Sequence, residues 1–122
     1  MVTTTKISAG TIYKHPDDDR LYYMDFTAEL DEDELIQSVA SANVEDGTGA
    51  TIAGELTVDA MTLTPNPVAF KNSQNKTVAI GKAALFRVDG GVDGADYYVQ
   101  INVVTDQPNN LSRVAIFQVR GR

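Results

Sequence analysis

The residues best suited to coordinating a ligand directly are Asp89, Asp93 and Asp96, three carboxylates on one stretch broken by Gly90, Gly91 and Gly94. Hard oxygen ligands on a bent, glycine-rich loop suit calcium. The spacing lacks the alternating ligands and closing Glu of an EF-hand loop, and Asp and Gly are equally what a turn between two strands requires. These aspartates are therefore weak candidates, no metal is expected, and the run Asp17-Asp18-Asp19 is weaker still. Nucleophilic chemistry fares worse. The chain has one histidine, His15, and no cysteine. Without a G-x-S-x-G stretch, a nucleophile, a base and an orienting group of the usual kinds cannot be assembled. Carboxylates for acid–base work are plentiful, but they sit in runs that read as solvated. The expectation is a non-enzymatic protein without a cofactor. Asn75-Lys76-Thr77 and Asn110-Leu111-Ser112 match the glycosylation tripeptide, and both are read as chance because no signal peptide precedes them.

The acidic stretch belongs to a larger unit, Ala83 to Arg120, which positions it. Tyr97, Val99, Ile101 and Val103 alternate with Tyr98, Gln100, Asn102 and Val104, the period of a half-buried strand. A polar loop at Thr105–Asn110 follows, with Pro108 inside it. The chain returns as a strand with Ala115, Phe117 and Val119 on one face, making a hairpin. Asp93-Gly94-Ala95-Asp96-Tyr97 has the form of an immunoglobulin-type tyrosine corner. In such a corner the ring folds over the sheet edge and the hydroxyl bonds upstream backbone. Tyr97, Gly94, Phe26 and Phe117 are the expected structural residues.

Upstream, residues 1–14 are Thr-rich and polar, an arm or a first edge strand, and residues 15–122 form the domain proper. His15-Pro16 opens a turn. Leu21–Leu30 reads as a strand with Met24, Phe26 and Ala28 inward, and Asp31–Glu34 as a solvated loop. Leu35–Val44 reads as a strand in preference to a helix over Glu29–Ala42. Ala50–Leu63 offers two short strands, and Pro65 and Pro67 break the sheet. Val68–Phe70 is a stub and Thr77–Val88 a further strand, bent at Gly81, with Val78, Ile80, Leu85 and Phe86 as core candidates. Seven to nine short strands without a convincing helix describe an all-β, immunoglobulin-like antiparallel sandwich.

Bulk properties bound the function. At 122 residues the chain is one domain with one core. A formal net charge of −7 opposes binding to nucleic acid. No apolar run is long enough for a membrane helix, and the N-terminus lacks a signal-peptide layout.

A family resemblance sharpens this. A proline–acid turn at Pro16 is followed by Leu21, Tyr23, Asp25, Phe26 and Thr27. Later come Gly90, Gly91, Gly94 and Tyr97, and then Arg113, Phe117, Val119 and Arg120 in a closing strand. Together these resemble small immunoglobulin-like virion accessory proteins of tailed bacteriophages, of fibre-to-tail adaptor or head-decoration type. The likeness covers Pro16–Glu45 and Val88–Arg120. It departs where Phe26 replaces a Trp, where LYYMDF is one residue short, and where Glu45–Ala84 is longer. It implies a virion structural protein, made in the host cytoplasm and present in multiple copies in a symmetric assembly. Its partners would be capsid, neck or tail proteins. The arm Val2–Tyr13, polar, Thr-rich and without core patterning, and one exposed loop set are expected to carry the contacts. Partner-binding residues beyond these are unknown. The alternative is a carbohydrate- or host-surface-binding sandwich that uses exposed tyrosines.

Overall fold

The computed structural model describes residues 7–45, 56–72 and 74–121. The strands are β1 (Ile7–Lys14), β2 (Asp19–Asp25), β3 (Ile36–Glu45), β4 (Leu56–Pro65), β5 (Phe70–Lys71), β6 (Thr77–Val78), β7 (Ala83–Gly90), β8 (Asp96–Thr105) and β9 (Asn110–Val119). No helix occurs among the described residues. A four-stranded sheet, β1-β9-β8-β3, packs on a three-stranded sheet, β2-β7-β4, while β5 and β6 form a small hairpin. The molecule is a β-sandwich.

Alternation builds the interior. Tyr97, Val99, Ile101 and Val103 of β8 are at most 1% exposed, while the residues between them are half-buried. Ala115, Phe117 and Val119 of β9 share the core with Phe86 and Val88 of β7, Met24 of β2 and Phe26 just beyond it. The Phe117 ring meets Tyr22 edge-on at 5.1 Å and Phe86 at 6.3 Å. Each such ring contributes about 1.5–3 kcal/mol by leaving water, which is how a cysteine-free chain holds its two layers together.

Several expectations are corrected. The pairing is not wholly antiparallel, because β1 runs parallel to β9, from Ile7 opposite Arg113 to Lys14 opposite Val119. The two strands are far apart in sequence, so no hairpin turn dictates their relative direction. β2 ends at Asp25. The next residues turn, with the Glu29 and Leu30 N–H groups donating to the Phe26 carbonyl, and that turn leaves Ala28 exposed. Ile80 is 56% exposed, because the chain bends at Gly81 (φ +77°) and splits the expected Thr77–Val88 strand into β6 and β7. The two strands expected in Ala50–Leu63 fall partly outside the described residues; what is described is the single β4, irregular between Asp59 and Thr64. Strand, not helix, holds for β3.

Candidate docking site

The two sheets approach each other at the edge strands β3 and β4, and the edge strands at the opposite side are β1 and β2. Because β1 joins the sheet of β9, the outer edge of β2 carries no strand among the described residues. A groove of about 570 Å³ opens there. Ile12 and Ala115 contribute its apolar part, Leu21–Asp25 form one bank, and Arg113 and the turn residues Asn72 and Gln74 supply polar groups.

Backbone parity tells which groups face this groove. The Phe26 N–H donates to the Lys82 carbonyl at 2.9 Å, extending the ladder between β2 and β7. Residues two apart along a strand aim their backbone groups to the same side. Tyr22 and Met24 therefore bond β7, and Leu21, Tyr23 and Asp25 aim N–H and C=O away from it. The other side of β7 agrees: the Arg87 N–H donates to the Thr62 hydroxyl and the Ala83 N–H to the Asn66 side chain, both toward β4. The Arg113 guanidinium donates to the outward carbonyl of Asp25, and its Nε lies 3.4 Å from Glu29 Oε1. Arg113 thereby ties β9 to the turn after β2. Tyr22 is half-buried at the groove, and burial raises the pKa of its hydroxyl, so it stays neutral.

The outer face of β2-β7-β4 adjoins the groove. Tyr23 meets Phe70 edge-on at 4.8 Å, Leu21 is half exposed and Met61 almost wholly so. Arg87 pairs with Asp19 at 3.4 Å, and Asp59 and Asp89 line the same shallow hollow.

The other anticipated residues are accounted for separately. Tyr97 forms the corner: its ring is fully buried and its hydroxyl accepts the Val92 N–H at 2.9 Å. Gly94 takes φ +89° and donates to the Val119 carbonyl. Phe26 and Phe117 are fully buried. The three aspartates are not brought together. Asp93 accepts the Gly121 N–H at 2.7 Å, Asp96 pairs with Arg120 at 3.0 Å, and Asp89 belongs to the Asp19 hollow. Among the described residues, no group of three or more His, Cys, Asp or Glu could hold a metal ion. Of the arm, Ile7–Tyr13 lies in β1 with Tyr13 exposed, and Val2–Lys6 lies outside the described residues.

Three buried polar anchors escaped the sequence reading. Glu34, expected in solvent, is 2% exposed and accepts from the Thr105 hydroxyl (2.5 Å), Asn109 Nδ2 (2.8 Å) and the Asp31 N–H (3.1 Å). Lys82 donates to the carbonyls of Asp31, Glu32 and Glu34, closing the same loop. Lys14 donates to the carbonyls of His15 and Gly90, and burial lowers its pKa against the pull of Asp18 and Asp89. A charge run conceals such residues, because nothing in it distinguishes the one member that turns inward.

A family model described as podophage GP4 fiber-tail adaptor protein gp77 matches residues 14–118. The chain belongs to this fibre-tail adaptor family. No curated protein matches the sequence. The adaptor-family match runs from the last residue of β1 nearly to the end of β9, so the β2 bank and the Arg113 wall of the groove lie within it.

Proposed function

We propose that this protein is a non-enzymatic structural adaptor of a tailed-phage virion, an immunoglobulin-type module that holds a fibre to the tail by surface burial. The observation that carries it is the adaptor-family match across residues 14–118. The immunoglobulin-type reading is supported by the corner bond between Val92 and Tyr97. It is supported equally by the strand order, in which the second, fourth and seventh strands form one sheet and the third, eighth and ninth lie together in the other. An adaptor needs two contact surfaces, and the groove and the adjoining outer face of β2-β7-β4 are the candidates. Repetition around a symmetric tail would multiply a modest affinity per copy. Localisation in the virion and partnership with tail proteins follow from that role.

The family description favours the tail over a place on the capsid shell. Glycan binding gains little, because on these strands Tyr97 is buried and Tyr22, Tyr23 and Tyr98 are each half-buried. Counting copies per purified particle, with labelled antibody to locate them, tests the placement. Tail-ring stoichiometry with label at the tail is expected; shell-lattice stoichiometry with label over the head would overturn it. The arm is tested by deleting residues 2–6, which leaves β1 intact. Reduced particle occupancy is expected, and unchanged occupancy would remove the arm from the interface.

A further inference from the structure

Of the four edge strands of the two large sheets among the described residues, three are irregular. β1 shifts register between Ser8 and Thr11, β3 shifts twice, and β4 shifts between Asp59 and Thr64 and ends at Pro65. Bulges and prolines are how sheet edges are kept from pairing with other chains. β2 has none: it pairs with β7 without a register shift over all its residues. Leu21 and Tyr23, whose N–H and C=O groups aim outward, line the groove of about 570 Å³.

We infer that the β2 edge is a strand-acceptor site, which takes an extended segment of a different virion protein by adding it to the β2-β7-β4 sheet. Main-chain bonds to Leu21 and Tyr23 would supply affinity and the groove would take alternate side chains. A second copy of this chain fits poorly. Laying β2 antiparallel on itself in full overlap sets Asp19 opposite Asp25 at both ends, and like charges directly opposed destabilise a strand pair. The start of β2 is net acidic: Asp17, Asp18 and Asp19 run in succession and Asp89 lies opposite Asp19, against the cations Arg20 and Arg87, the latter paired with Asp19. The incoming segment is therefore apolar at its centre and cationic at the end that meets these aspartates.

The inference rests on the adaptor reading, and the test separates the two. Leu21→Pro removes an outward donor while leaving the β7 ladder intact, and proline is tolerated on the open side of an edge strand. Leu21→Ala trims the same side chain and keeps the donor. Each full-length protein is titrated onto purified particles made without it. Leu21→Ala should bind within a few-fold of wild type and Leu21→Pro at least about tenfold more weakly, a loss of about 1.4 kcal/mol, with an unchanged circular-dichroism spectrum. Equal binding by Leu21→Pro overturns the acceptor edge and leaves the adaptor reading standing. Failure of the wild type to bind overturns both. Should Leu21→Pro not fold, amide exchange of the wild-type protein decides: slowed exchange at Leu21 and Tyr23 on bound particles supports the site, and unchanged exchange refutes it. A wild-type dimer in sedimentation that Leu21→Pro abolishes would replace the different protein with a second copy and refute the inference as stated.

Discussion

The Tyr97 hydroxyl accepts the Val92 N–H at 2.9 Å. Tyr97→Phe keeps the ring and loses the acceptor. The expected cost is about 1 kcal/mol, seen in urea melts as a lower midpoint with an unchanged slope. Glu34 makes a sharper case. The Thr105 hydroxyl foremost, then Asn109 and the Asp31 N–H, hold its pKa below the usual carboxylate value of 4.5. The folded state therefore resists protonation more than the unfolded chain does. The resulting stabilisation is complete above the unfolded value and drains away as pH falls through the lowered one. Glu34→Gln should be less stable than wild type at neutral pH, and the gap should shrink as both are acidified past that point. Denaturant melts across the acid range check this, and a gap independent of pH would contradict it.

Among the elements, the β7–β8 turn is the most constrained. Gly91 has φ +102°, and a Cβ there would lie 2.7 Å from Val119 Cγ2 and 3.2 Å from Leu56 Cδ1. Gly94 also has positive φ, +89°, but its Cβ would meet nothing within 4 Å. Gly94→Ala should cost only the backbone penalty of about 1–2 kcal/mol. Gly91→Ala should add an overpacking cost of about 1–3 kcal/mol. Thermal melts of the two variants rank them, and the reverse order would contradict this packing of β9 on the turn. Much at this scale was legible in the sequence. Alternation in β8, and Ala115, Phe117 and Val119 on one face of β9, read directly as a half-buried hairpin, although Val114 is buried beside Ala115. The Asp-Gly pattern before Tyr97 announces the corner. Elements that depend on distant partners were not legible. β1 has no local feature requiring a parallel place beside β9, and Ala28 follows the strand's alternation although the chain has already turned at Phe26.

For the whole molecule, the same contrast separates fold from site. A sandwich follows from many short strands, each carrying its own local signature. The groove lies at the outer edge of β2, which carries no strand among the described residues because β1 joins the opposite sheet. Sequence motifs marked Asp89, Asp93 and Asp96, yet folding sends two of them to Gly121 and Arg120 and spends them on the C-terminal end of β9. Arg113 was noted only as a residue of the closing strand, and the fold makes it the side chain that joins β9, Asp25 and Glu29. On the adaptor reading proposed above, the groove and the adjoining outer face of β2-β7-β4 are the surfaces that would bridge two larger bodies.

Bridging is tested most directly by reconstitution. Particles made without this protein are mixed with purified tail fibres, with and without the full-length chain, and sedimented. Fibres should co-sediment with particles only when the chain is present, rising to a plateau as it saturates the tail. Fibres that attach equally well in its absence, or that stay in the supernatant although the chain itself has bound, would contradict the account.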